Sequence, residues 1–101
     1  MVERDVPTVI LSGGQSRRMD RNDKAFLFIS NQTLLEIVVG RLQRQTEKVA
    51  INTNSNNPKY AQHGLPILKD QIEGFLGPLA GIFTAMKWAN DMGYKKVATV
   101  A

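Results

Sequence analysis

Two glycines, Gly13 and Gly14, end a short apolar run, and four cationic side chains, Arg17, Arg18, Arg21 and Lys24, follow within a dozen residues. A strand feeding a double-glycine turn can point backbone N–H groups into a concavity, because no Cβ blocks the approach. Guanidinium and ammonium groups around such a turn suit a polyphosphate better than a single carboxylate. The chemistry indicated is nucleotide binding. The spacing matches neither common phosphate motif. A P-loop needs Gly-x-x-x-x-Gly-Lys-Ser/Thr and a dinucleotide fingerprint needs Gly-x-Gly-x-x-Gly, whereas this stretch reads Gly13-Gly14-Gln15-Ser16. Two more polar residues, Asn52 and Asp70, stand just after apolar runs further along. Asn52 can donate and accept together, which suits a base edge or a ribose, and Asp70 can accept from paired donors. Loop capping is the bland alternative for both.

The elements that must position these groups can be read from the pattern of apolar residues. Thr8 to Leu11 are apolar on both faces, as in a buried parallel strand, with Pro7 ahead of it where no ladder donor is needed. The loop from Ser12 to Lys24 is long, as functional loops are. Ala25-Phe26-Leu27-Phe28-Ile29 reads as a short extended piece seating that loop against the core. The spacing of Leu34, Leu35, Ile37, Val38 and Leu42 predicts a helix over residues 33–45, capped by Asn31 or Thr33. Residues 48–52 read as a second strand, followed by the polar loop Asn52-Thr53-Asn54-Ser55-Asn56-Asn57-Pro58 and a short helix opened by Pro58 and running through Gln62. Residues 65–69 read as a third strand. Pro78 is placed to open a helix carrying Leu79, Ile82, Phe83, Met86 and Ala89 on its apolar face, with Gly93 as its stop. Residues 96–101 read as a fourth strand. Strands alternating with helices predict a doubly wound, mostly parallel α/β sheet, with ligands beyond the carboxyl ends of the strands. Leu11, Asn52 and Asp70 should therefore meet at one crevice with the glycine loop.

The totals narrow the classes. The chain has 101 residues, 43% hydrophobic and 22% charged, which fits one globular domain with a modest core. The net charge of +4 favours an anionic partner, but the bases form no stripe with interleaved aromatics, so no nucleic-acid partner is expected. Zero cysteines exclude disulfides and thiolate metal sites in these residues. No signal-peptide core and no span-length apolar stretch is seen, so a cytoplasmic chain without membrane contact is expected. The single histidine, His63, reads as a solvated surface residue, and Trp88 and Met86 as packing or partner contacts on a helix.

Leu11-Ser12-Gly13-Gly14-Gln15-Ser16-Arg17-Arg18-Met19, followed by Asp23-Lys24-Ala25, resembles the signature of nucleotidyltransferases with a three-layer α/β/α, Rossmann-like nucleotide-diphospho-sugar transferase fold. Within that superfamily the chain is most similar to the molybdenum cofactor guanylyltransferase family. Ile51-Asn52-Thr53-Asn54, Ile67-Leu68-Lys69-Asp70 and Gly77-Pro78-Leu79-Ala80-Gly81-Ile82 carry that narrower likeness. Two positions depart from the pattern: Ser12 stands in place of Ala, and Asp20 in place of Gly.

The resemblance implies transfer of GMP from GTP to molybdopterin with release of pyrophosphate. It implies that Leu11, Ser12, Gly13, Gly14, Lys24, Asn52 and Asp70 contact the nucleotide, and that Arg18 and Lys24 stabilise the reacting phosphates. Magnesium is the implied cofactor. Its carboxylate ligand, in an Asp-x-Pro stretch after the fourth strand, is expected beyond Ala101, and no residue here is assigned as a metal ligand. Residues 1–101 are accordingly expected to be the amino-terminal, truncated half of one nucleotidyltransferase domain. Expected partners are GTP, molybdopterin, other molybdenum-cofactor biosynthesis proteins and the molybdoenzymes that receive the product. Two alternatives stay open: a CTP- or UTP-dependent small-molecule nucleotidyltransferase, and a non-catalytic nucleotide-binding fragment.

Overall fold

A computed structural model describes residues 6–12, 24–70 and 78–100. Its centre is a four-stranded sheet in which every pairing is parallel. β1 (Thr8–Leu11) lies between β4 (Val49–Asn52) and β6 (Ala98–Val100), and β5 (Ile67–Leu68) pairs with β4 on its other side. The spatial order is β5-β4-β1-β6. A separate antiparallel ribbon joins β2 (Phe28–Ile29) to β3 (Gln32–Thr33). The chain thus steps outward from β1 through β4 to β5, then returns to the far side of β1. That reversal is the topological switch point beside which open α/β sheets bind ligands.

Two helices cover the sheet, α1 (Leu34–Gln43) and α2 (Pro78–Asp91). Side chains alternate across the strands, so each face receives its own set. Ile10, Val49 and Ile51 pack with Leu35 and Val39 of α1 and with Tyr60. Val9 and Ala50 pack with Ala85 of α2, with Leu11, Leu68, Trp88 and Val97 around them. Opposite faces are what right-handed crossovers demand when one moves outward and the next moves back. The result is the expected α/β/α arrangement. Because both faces are covered, β1 and β4 are buried along almost their whole length.

Local chemistry explains the ends of the elements. Thr33 caps α1: its hydroxyl accepts from Glu36 N at 3.1 Å, and Glu36 Oε1 accepts from Thr33 N at 2.8 Å. This reciprocal pair satisfies two donors that a helix start leaves open. Gly93, at φ +89°, follows α2 in the left-handed region where a Cβ is costly. The polar segment 53–57 forms a run of side-chain turns in place of a helix or strand. Thr53 Oγ1 accepts from Ser55 N at 3.1 Å, Ser55 Oγ from Asn57 N at 3.1 Å, and Asn57 Oδ1 from Lys59 N at 2.9 Å. Short polar side chains offer the backbone these local partners, and the strand cannot continue. A 3₁₀ helix, Pro58–His63, follows, with Asn57 as its cap.

Three expectations need correction. Residues 25–29 do not form one extended piece. Lys24–Phe26 is a 3₁₀ turn whose Ala25 and Phe26 reach the core, whereas Leu27, Phe28 and Ile29 are 56%, 69% and 55% exposed. The third strand shrinks to Ile67–Leu68: Pro66 has no N–H to give to a ladder, and only Ile67 and Leu68 pair with β4. On α2 the face against the sheet is Ala80, Gly81, Thr84, Ala85 and Ala89, while Leu79, Phe83 and Met86 point outward. Small residues let the helix approach Val9 and Ala50 closely, and periodicity alone does not weigh side-chain size. Thr84 is accommodated there because its hydroxyl donates to Ala80 O at 2.9 Å. His63 is half-buried. No helix of the described residues is long and apolar enough to cross a membrane.

Candidate functional site

The carboxyl ends of the central strands lie level. Leu11 on β1 is in register with Asn52 on β4, and Asn52 with Leu68 on β5. The ladder continues one step further, with Ser12 N donating to Asn52 O at 2.8 Å and Thr53 N donating to Leu68 O at 3.1 Å. Leu11, Ser12, Asn52 and the Leu68-Lys69-Asp70 stretch are therefore carried to one edge by the sheet itself. This edge is where β1 leads towards the glycines.

Asn52 is 4% exposed at that edge. Burying an amide without partners costs roughly 1–3 kcal/mol, so its donors must be placed. One Nδ2 hydrogen goes to Leu68 O at 3.1 Å and the other to Asp70 Oδ1 at 2.9 Å. Both donors of Asn52 are engaged within the protein, so its side chain acts here as a brace between β4 and the segment after β5. On its other side lies α2. A Cβ at Gly81 would stand 2.6 Å from Asn52 Oδ1 and 3.2 Å from Leu11 Cδ2, a separation only glycine allows. The first turn of α2 is thereby seated on the ends of β1 and β4.

Asp70 is held from a second direction. Asn54 Nδ2 donates to Asp70 Oδ2 at 3.0 Å, and Asp70 N donates to Asn54 Oδ1 at 2.9 Å. Each carboxylate oxygen thus accepts one amide hydrogen and keeps a second acceptor position. Such a pair of acceptors matches a two-donor group, such as the N1–H and amino group of guanine or the two hydroxyls of a ribose. Lys69 ties the same loop, its Nζ donating to Ser55 O at 3.1 Å and to Asn56 Oδ1 at 3.0 Å.

Ser12 is anchored from below. Its hydroxyl lies 2.9 Å from the hydroxyl of Tyr60, which is 2% exposed. Tyr60 packs on Phe26, ring centroids 4.8 Å apart at 58°, and Lys59 Nζ stands 5.4 Å from the Phe26 centroid. The residue that leads into the glycine loop and the turn that follows Lys24 therefore rest on one aromatic pair.

Of the residues singled out from sequence, Leu11, Ser12, Asn52 and Asp70 meet at this edge, and Lys24 opens the turn that contributes Phe26. Gly13, Gly14 and Arg18 lie outside the described residues. Asn54, Tyr60 and Gly81 were not assigned roles from sequence. For Asn54 the available signal was its spacing of two from Asn52, which returns a side chain to the same side of an extended chain. For Tyr60 no local signal existed, since its partners are 34 and 48 positions away. Among the described residues no group of three or more His, Cys, Asp or Glu could hold a metal ion.

Comparison with known proteins agrees with this architecture. The model of the MobA-like NTP transferase domain matches residues 8–101. A protein of Pasteurella multocida named molybdenum cofactor guanylyltransferase is 52% identical over 83 residues, 82% of this chain and 44% of that protein. Proteins of the same name from Mesorhizobium japonicum and Haemophilus influenzae are 41% and 43% identical, over 87% and 81% of this chain and 42% and 43% of their own lengths. The chain therefore spans less than half the length of these curated relatives. From Thr8 onward the match runs through the strands, the level edge and both helices, and the chain belongs to the MobA-like NTP transferase domain family.

Proposed function

We propose that these residues form the nucleotide-binding part of a nucleotidyltransferase that moves GMP from GTP to molybdopterin, yielding molybdopterin guanine dinucleotide and pyrophosphate. The observation that carries this is the Asp70 carboxylate, held by Asn52 and Asn54 at the strand ends with one acceptor position left on each oxygen. The names of the relatives support the guanine nucleotide and the molybdenum cofactor as substrates.

In the reaction a phosphate oxygen of molybdopterin attacks the α-phosphorus of GTP. The new P–O bond forms as the bond to the β-phosphate oxygen breaks, and pyrophosphate leaves with the electron pair. The nucleophile is already an anion, so positioning and charge neutralisation are required and a protein base is not. Leu11, Ser12, Gly13 and Gly14 line the nucleotide with backbone groups, Ser12 through its carbonyl because its N–H is engaged by Asn52. Lys24 meets the triphosphate as a point charge, and Arg18 stabilises the departing pyrophosphate with paired donors. Asp70 takes the paired donors of the guanine edge or ribose. Magnesium is the cofactor proposed for the whole enzyme, with its ligand elsewhere than in the described residues. The cytoplasm is the proposed compartment, with cofactor-biosynthesis proteins and recipient molybdoenzymes as partners.

Titration calorimetry of the full chain with GTP, CTP and UTP tests the assignment. GTP is expected to bind at least tenfold more tightly than the others, and preference for CTP would replace the guanine assignment with a cytidylyltransferase. Lys24→Ala is expected to weaken GTP binding roughly tenfold or more, the scale of a lost charge-assisted hydrogen bond. Unchanged affinity would remove Lys24 from the phosphate site.

A further inference from the structure

Asn54 has no assigned part in binding, yet both ends of its side-chain amide are spent on one residue. Its Nδ2 reaches Asp70 Oδ2 at 3.0 Å and its Oδ1 receives Asp70 N at 2.9 Å. An exposed asparagine ordinarily keeps its rotamer freedom, and ordering it costs free energy. Here a ring of two hydrogen bonds, to the side chain and the main chain of one partner, removes that freedom and fixes the carboxylate plane as well. Asn52 alone, bonded to one oxygen of Asp70, would leave the carboxylate able to turn about that contact. Two amides, one on each oxygen, do not.

The loop bearing Asn54 is itself tied down. Thr53 N is bonded to Leu68 O, Thr53 Oγ1 accepts from Ser55 N, and Lys69 Nζ donates to Ser55 O and Asn56 Oδ1. The loop after β4 and the segment after β5 are in this way joined into one rigid lip. A preorganised acceptor pair binds more tightly than a mobile one, because the ordering cost is met during folding.

We propose that Asn54 is a positioning residue that sets the Asp70 carboxylate for the nucleotide, acting through its paired hydrogen bonds and not by touching the ligand. This role rests on the guanine-nucleotide assignment above. The test is a double-mutant cycle on the full chain, reading GTP affinity by calorimetry and the thermal midpoint of each variant. Asn54→Ala is expected to lower GTP affinity about tenfold with the fold retained. Asn54→Asp is expected to lower it further, since it sets a carboxylate against Asp70 Oδ2. In an Asp70→Ala background Asn54→Ala should change affinity by less than about twofold, because residues acting as one unit are non-additive. Additive losses would overturn the proposal, as would wild-type affinity in Asn54→Ala or Asn54→Asp. Absence of GTP binding by the wild-type chain would instead overturn the guanine-nucleotide assignment, and this role with it.

Discussion

Asn52 illustrates how one buried amide can tie three elements together. Its hydrogens reach the main chain at Leu68 and the carboxylate of Asp70, and its oxygen lies where a Cβ on Gly81 would intrude. Gly81→Ala sets two effects against each other. Alanine favours a helix interior by about 1 kcal/mol over glycine, whereas forcing a methyl into a close contact costs typically 1–3 kcal/mol. The clash dominates, because the Asn52 amide is held by two bonds and cannot swing aside. A net loss of up to about 2 kcal/mol is expected, lowering the thermal midpoint by as much as roughly 10 °C. GTP affinity should fall with it, since moving Asn52 moves Asp70. A midpoint equal to wild type would show that the strand ends yield more readily than these contacts imply.

At the scale of elements, α1 and α2 are built by different means. The start of α1 is specified locally by the Thr33–Glu36 capping box. Thr33→Ala removes the hydroxyl that accepts from Glu36 N and should cost about 1 kcal/mol in chemical denaturation, with the denaturant slope unchanged. α2 depends on fit. Its sheet-facing residues are alanines, a glycine and a self-satisfied threonine, and the larger Leu79, Phe83 and Met86 point outward. An apolar pattern around most of a helix does not reveal which side meets the sheet. The neighbours do: the ends of β1 and β4 leave no room for a Cβ at Gly81, and Ala85 is fully buried against Val9 and Ala50.

For the molecule as a whole, stability rests on a thin central layer. Folded proteins are held by only roughly 5–15 kcal/mol in total, so single core residues weigh heavily. Ile51 is fully buried on β4, the strand flanked by β1 and β5, and belongs to the cluster beneath α1. Ile51→Ala should cost about 2–5 kcal/mol, enough to leave much of the protein unfolded in mild urea by circular dichroism. Phe28 is the contrast: it is 69% exposed on the small ribbon, so Phe28→Ala should shift the urea midpoint little. The order β5-β4-β1-β6 brings residues far apart in sequence to one edge, so the binding lip and the hydrophobic core share the same strands.

The apolar runs at Thr8–Leu11 and Val49–Asn52, a helix cap at Asn31 or Thr33 (Thr33 in the fold), and Pro78 at the head of α2 were all legible in the sequence. Each depends on residues within a turn or two of one another. The alternation of strands and helices then implied a parallel sheet, and the carboxyl ends of its strands marked Leu11, Asn52 and Asp70 as neighbours. The tertiary structure alone decided what those neighbours do. The Asn52 donors turn inward, Asn54 closes on Asp70, Tyr60 supports Ser12 from 48 positions away, and α2 presents its small face to the sheet. Hydrogen-bond pairing and close packing are properties of distances between remote residues, and only the folded sheet sets those distances.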